Sequence, residues 1–304
     1  MPIIAPNTNA QITRVMTRPG LFMLDDLLLG EPDKFPISDI DWGTNNVDYS
    51  TYNNIFADGR IFGPGYSRGT SITLTGGFLP HNGQTLTQIG AKLEKIWGSY
   101  NNRNRAGRVV QLFYRRERGV RFFVGRPKRI QINYGGARAQ FGRFVLEFER
   151  TNQFSYGNEH AIDLTESNKE FEIITPNSDL LAPSPAAVTF YGETPSTAGS
   201  LNINQKNGQG AIVGTKVLNV ALGLKSGESV TVSNYPGENF IVTNTGESAR
   251  YRLAPVVGRY YISNLSDFVL FDKEVTHRTF LTANFTSNNR IKAKFSYIEA
   301  SYGI

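Results

Sequence analysis

The sequence predicts an α+β N-terminal domain, antiparallel β with one helix, followed by a C-terminal all-β sandwich of jelly-roll or galectin-like type. Three observations predict it. Helical periodicity is convincing in one stretch only, residues 85–98. Elsewhere apolar residues alternate in short runs bounded by Gly, Pro, Asn and Asp, as half-buried strands do. From residue 186 onward such runs recur every ~8–12 residues with turn signals between them and no helix. A lone helix beside many strands must cover one face or end of a sheet.

The helix stands at the centre of the first domain. Asp58-Gly59 and Gly63-Pro64-Gly65 read as turn chemistry, because Gly supplies positive φ and Pro fixes its own. A strand follows at residues 71–78, with Ile72, Leu74 and Gly76 on one face and Thr73 and Thr75 on the other. Thr85 is the expected N-cap. Leu86, Ile89, Gly90, Leu93, Ile96 and Trp97 fall three and four apart, an apolar stripe, while Lys92, Glu94 and Lys95 lie off it. Gly98 and Asn101-Asn102 are expected to end the helix.

Before this centre, residues 11–16 alternate as a first strand and residues 21–29 form a short apolar segment interrupted by Asp25-Asp26. Residues 30–51 are acidic and contain Pro32 and Pro36, which implies surface loop or short edge pieces. The stretch DWGTNNVDYSTYNN reads as loop pinned by Trp42, Tyr49 and Tyr52. After the helix, residues 108–115 and 120–126 read as a hairpin turning at Gly119, followed by strands at 129–134 and 140–150. Nearly every one of these strands carries Arg or Gln on its second face, which implies one buried side and one cationic side.

Residues 151–185 lose periodicity and contain Pro183 and Pro185. The boundary falls near 160, giving domains at 1–164 and 165–304. The expected strands of the second are 187–191, 200–204, 216–222, 228–233, 240–244, 250–253, 267–270, 278–284 and 290–297.

With 304 residues the chain suffices for two cores. Cysteine is absent, so neither a disulfide scaffold nor thiolate chemistry is available. No apolar run reaches the ~18 residues of a membrane helix or the pattern of a signal peptide, so synthesis in the cytoplasm without a membrane anchor is expected. The excess of positive charge is concentrated: residues 103–150 carry 13 Lys/Arg against 3 Asp/Glu, whereas 1–102 carry 7 against 9 and 151–304 carry 12 against 14.

That cationic block includes Arg103, Arg105, Arg108, Arg115, Arg116, Arg118, Arg121, Arg126, Lys128, Arg129, Arg138 and Arg143. It fits a subunit-facing surface meeting acidic loops such as Asp25-Asp26 of a neighbouring chain. Interleaved with Phe113, Tyr114, Phe122, Phe123 and Tyr134 it also fits nucleic-acid binding, with phosphates tracked and bases stacked. His81, His160 and His277 lie far apart without an acidic or His partner at ligand spacing, so no metal site is expected. GYSRG and GTSITLTGG lack the Lys-Ser/Thr of a phosphate loop. No nucleophile triad is readable, and the carboxylates at 39–41, 58 and 159–172 cannot be set across a cleft. Neither catalysis nor a cofactor is expected. Tyr191, Tyr235, Tyr260 and Tyr261 are candidate aromatics for carbohydrate binding by the second domain.

The pattern D-G-R-x-F-G-x-x-x-x-R-G-x-x-I-T-L-T-G from Asp58 to Gly76, then a helix and an Arg-rich strand set, resembles the N-terminal domain of distal tail proteins of long-tailed, siphovirus-type phages. Residues 218–234, 244–253 and 266–304 resemble the second domain of that family in minor tail proteins of phages of actinobacteria. Asp272-Lys273-Glu274 departs from the family's Pro-Gly, and the first 55 residues match loosely. The resemblance implies a structural virion protein of the tail tip. Its N-terminal domains would form a hexameric ring and its C-terminal domains would project outward. Implied partners are further copies of the chain, the tail tube protein, the baseplate hub, the tape measure protein and, where Arg residues line the lumen, passing DNA. The alternative is a carbohydrate- or host-surface-binding tail protein acting through the C-terminal sandwich.

Overall fold

In the computed structural model the described residues are 9–43, 47–53, 60–67, 70–98, 109–135, 140–173, 184–192, 199–220, 224, 227–235, 240–246, 278–285 and 291–302. They are antiparallel β with two helices, and they form two compact units. One holds residues 9–155 and Tyr302; the other holds residues 156–301.

The first unit begins with helix α1, Ala10–Val15, where a strand was expected. Ile12 and Met16 are buried, and a spacing of four fits a helix face as well as an alternating strand. The Asn9 side chain decides it by accepting from the Gln11 N–H at 2.9 Å. The apolar segment at 21–29 is a hairpin of β1, Phe22–Leu24, and β2, Leu27–Leu29, with Asp25-Asp26 as its turn and Asp25 at φ 53. Strand β3, Ile37–Asp41, pairs with β6, Ser71–Phe78. Between them β4, Val47–Asn53, and β5, Arg60–Ser67, form a separate two-stranded ribbon. Two sequence expectations are corrected there: residues 47–53 are strand rather than loop, and Gly63-Pro64-Gly65 lies inside β5. Tyr49 pairs with Gly65 and Thr51 with Phe62, so Gly63 and Pro64 oppose a single residue. The pairing shift is a bulge, a place in a sheet where Pro is tolerated. Asp58-Gly59 and Asn101-Asn102 lie outside the described residues.

Helix α2, Leu86–Trp97, has the expected cap, a reciprocal capping box between Thr85 and Gln88. Strands β7, Val110–Arg116, and β8, Gly119–Asn133, form the expected hairpin. However, β8 is one 15-residue strand where two were expected. Pro127 does not end it: the register slips between Pro127 and Arg129, and pairing with β9, Gly142–Arg150, resumes. The Trp97 indole N–H reaches the Arg129 carbonyl (3.0 Å) and the Glu147 carbonyl (3.3 Å) beside this bulge. Irregular pairing thus gives the helix its anchor.

The core of this unit joins Ile89, Leu93 and Trp97 of α2 to Ile72, Leu74 and Phe78 of β6 and to Phe144, Leu146 and Phe148 of β9. It continues into Phe22, Leu24, Leu112, Tyr114 and Phe123. Register across β6 and β9 is set by two reciprocal pairs, Gly76 with Phe144 and Phe78 with Gly142. In each the aromatic ring lies against the glycine opposite, where a Cβ would collide with it.

The second unit contains most of β10, Phe154–Leu164, an 11-residue strand in a stretch expected to be irregular. Ser155, Tyr156 and Gly157 are buried consecutively, which erases the alternation there. The sheet order is β16, Phe240–Thr243; β15, Ser229–Ser233; β12, Ala186–Gly192; and β18, Ile291–Tyr302. A second sheet runs β11, Glu170–Glu172; β17, Arg278–Phe285; β13, Gly199–Lys206; and β14, Ile212–Val220. Val188, Phe190, Val230, Val232 and Phe295 of the first sheet share one core with Leu201, Ile203, Leu218, Val220 and Leu281 of the second. The strands expected at 250–253 and 267–270 lie outside the described residues.

Candidate interaction surfaces

The cationic face expected of the first unit is not a single face. On the β7–β8 hairpin the side opposite the core carries Phe113, Val120, Phe122 and Val124, all buried. Farther along β8 the corresponding side is polar, but Arg126 lies opposite Glu149 and Arg129 opposite Glu147. Thr73 and Thr75 follow on β6, then exposed Asp39 and Asp41 on β3. Lys128 pairs with Glu147 at 3.0 Å; this hydrogen bond holds the carboxyl below its ordinary range and raises the Lys128 ammonium. The face is a mixture of charges. A strand rising ~3.4 Å per residue spreads 15 residues over ~50 Å, so arginines adjacent in sequence do not gather in space.

The individual arginines have separate environments. Arg121 is buried, donating from Nε to Ser155 Oγ (3.2 Å) and from Nη2 to the Ser155 carbonyl (3.0 Å). Arg116 lies over the Tyr114 ring, 5.8 Å from its centroid. Arg118 is exposed in the turn between β7 and β8, and the Arg115 Nε is buried with no hydrogen-bond partner among the described residues. Arg143 lies over Phe141, and Arg129 donates to Gln131 Oε1 at 3.2 Å. Arg103, Arg105, Arg108 and Arg138 lie outside the described residues. The aromatics proposed for base stacking are mostly internal: Phe113, Tyr114, Phe122 and Phe123 are buried.

Sequence reasoning missed Arg150. It is 4% exposed, lies 5.2 Å from the Phe123 centroid, and bonds the chain on either side of the β4–β5 ribbon. Its main-chain N–H and Nε both donate to the Thr70 carbonyl at 3.1 Å. Its Nη2 donates to Thr70 Oγ1 and, at 3.4 Å, to the Trp42 carbonyl. Burial lowers its pKa. Trp42, the expected loop anchor, packs on Phe22, Tyr114 and Phe123.

In the second unit His160 Nε2 meets Glu299 Oε1 at 2.6 Å and its ring stacks on Tyr297. Burial pushes the Tyr297 hydroxyl up to about 12, with Glu299 adding. Among the candidate sugar-binding aromatics, Tyr191 is exposed, whereas Tyr235 is buried and its hydroxyl bridges Glu159 (2.8 Å) and Ser296 (2.7 Å). Tyr260, Tyr261 and His277 lie outside the described residues. His81 meets the Leu79 carbonyl and Phe35. No group of three metal-ligating side chains occurs among the described residues, and no described helix is long and apolar enough to cross a membrane.

No protein-family model and no curated protein matches the chain by sequence. By structure it is similar to the SPP1 Dit (gp 19.1) protein, described as a paradigm of the hub adsorption apparatus in Gram-positive infecting phages. The identity is 16%, the match covers 92% of this chain and 98% of that one, and the TM-score is 0.57. A chain of the phage P2 baseplate in its activated conformation with Ca is 8% identical over 93% of this chain and 99% of that one, at TM-score 0.49. The chain has the fold of a phage Dit protein.

Proposed function

We propose that the chain is a structural, non-enzymatic protein of a phage virion, built into the tail tip. The observation that carries this reading is the Dit fold across nearly the whole of both chains. On this reading the first unit forms an α+β ring-building domain and the second a β-sandwich of jelly-roll or galectin-like type. The ring is hexameric and closes because one heterologous contact repeats about a rotation axis. It joins the tail tube to the baseplate hub, surrounds the end of the tape measure protein and lets DNA pass. Arg115, Arg116, Arg118, Arg126 and Arg129, with Arg103, Arg105 and Arg108, supply its ionic contacts. Arg121 serves the fold through Ser155.

Light scattering on the purified chain, with negative-stain images of the same peak, tests the reading. A closed ring with a central hole and peripheral knobs is the expected result. A monomer that also fails to close on added tail-tube rings would overturn it. Exposed Tyr191 favours a second role in contact with the host surface.

A further inference from the structure

One sheet face of the second unit combines groups that the ring does not require. Along β12, Val188 and Phe190 enter the core, so Thr189 and Tyr191 take the opposite face. Tyr191 is 42% exposed. Its registered neighbours are Ser229 on β15 and Lys292 on β18; at the next outward level Thr189 lies between Thr231 and Lys294. Both lysines are exposed. The Thr189 and Thr231 hydroxyls bond each other at 2.9 Å, which fixes their orientation. One aromatic ring, two ammonium groups and several hydroxyls thus occupy three adjacent strands. At ~4.8 Å between strands and ~7 Å between outward levels, the patch measures roughly 10 by 7 Å, the footprint of one or two sugar rings.

We propose that this face binds an anionic polysaccharide. The Tyr191 ring stacks on the C–H face of a sugar, Lys292 and Lys294 take its phosphate or carboxylate, and Ser229 and Thr231 bond its hydroxyls. Charge and hydroxyl chemistry select this occupant. A protein partner would need about 1,000 Å² of complementary surface with an apolar centre, and here a single large apolar ring stands among small polar groups. Single-stranded nucleic acid stacks successive bases on successive aromatics, and Tyr191 is the one large exposed aromatic among the described residues of this unit. The proposal deepens the host-surface role above; binding by the purified chain does not depend on ring closure, so either can fail alone.

The test is calorimetric titration of the full chain with poly(glycerol phosphate), polygalacturonate, neutral dextran and oligothymidylate. Binding of the phosphate polymer, the carboxylate polymer or both, without dextran, is expected, and the stronger arm identifies the anion. Tyr191→Ala and the Lys292→Glu/Lys294→Glu pair should each weaken binding by at least about tenfold, with cooperative thermal unfolding retained. The lysine pair keeps the test valid if Tyr191→Ala disturbs the sheet. Failure of both anionic polymers to bind, wild-type affinity in the variants, or equal affinity for oligothymidylate would overturn the proposal.

Discussion

Replacing Arg150 by Met should free the β4–β5 ribbon while leaving the β6–β9 pairing intact. The guanidinium donates to the Thr70 carbonyl, to Thr70 Oγ1 and to the Trp42 carbonyl. Met fills comparable volume and makes none of these bonds. Each hydrogen bond from a charged donor contributes about 1.5–3 kcal/mol, and each acceptor left buried costs about 1–3 kcal/mol. Relief of the guanidinium's own burial, visible in its lowered pKa, offsets part of the loss. A net effect of about 3 kcal/mol corresponds to roughly a hundredfold in a local opening equilibrium. Amide exchange of β4 and β5 should therefore accelerate about a hundredfold, while β6 and β9 change far less. Arg150→Lys, which keeps the charge without the forked donor, should fall between. Unchanged exchange in the ribbon would refute the reasoning, and so would uniform acceleration across the unit, since Arg150 would then act only as core filling.

Three further outcomes are expected. Gly142→Ala places a methyl inside the Phe78 ring and should cost about 2 kcal/mol, lowering the melting temperature of the first unit by about 6 °C; Phe78→Leu in the same chain should recover part of it. Tyr297 stays neutral in the fold to a higher pH than in the unfolded chain, so its contribution is present below pH 10 and lost as pH rises toward about 12. Denaturation series across that window should show wild-type stability falling by a few kcal/mol at most, on the order of 3 kcal/mol, with a shallower fall in Tyr297→Phe. Thr85→Ala removes one arm of the capping box and should cost about 1 kcal/mol, read from the urea midpoint.

The parts legible in the sequence are those where burial has one period. Strand β6 alternates buried and half-buried residues along its whole length, and the α2 stripe of Ile89, Gly90, Leu93 and Trp97 is buried as read. Legibility fails where two periods coincide or neither applies. Ile12 and Met16 suit a helix and a strand equally, and only the Asn9 cap distinguishes them. In β10, three buried neighbours suppress alternation. Pro127 signals a break that a bulge absorbs. The arginine block misleads because proximity in sequence is not proximity in space, and Glu147 and Glu149 share the outward positions of β9 with Arg143. Arg150 continues the same run of cations in sequence, yet it is buried at a strand end, and only tertiary structure separates it from the exposed ones. Tyr235 likewise reads as a surface aromatic until Glu159 and Ser296 close over its hydroxyl.

The long shared strand β8 also sets an order in time. The β7–β8 hairpin closes through a two-residue turn at Glu117-Arg118, a microsecond event, and β9 joins it across one short connection. Strand β6 lies between β3 and β9, so its two partners come from opposite sides of it in sequence, and its docking on β9 carries a larger loop-closure cost than the β7–β8 hairpin. Substitutions such as Phe123→Leu should slow folding, whereas Leu74→Val should mainly hasten unfolding. During synthesis, β6 lacks its β9 partner, and both roots of the ribbon lack Arg150, until Arg150 has left the ribosome. The first unit then completes in one late step.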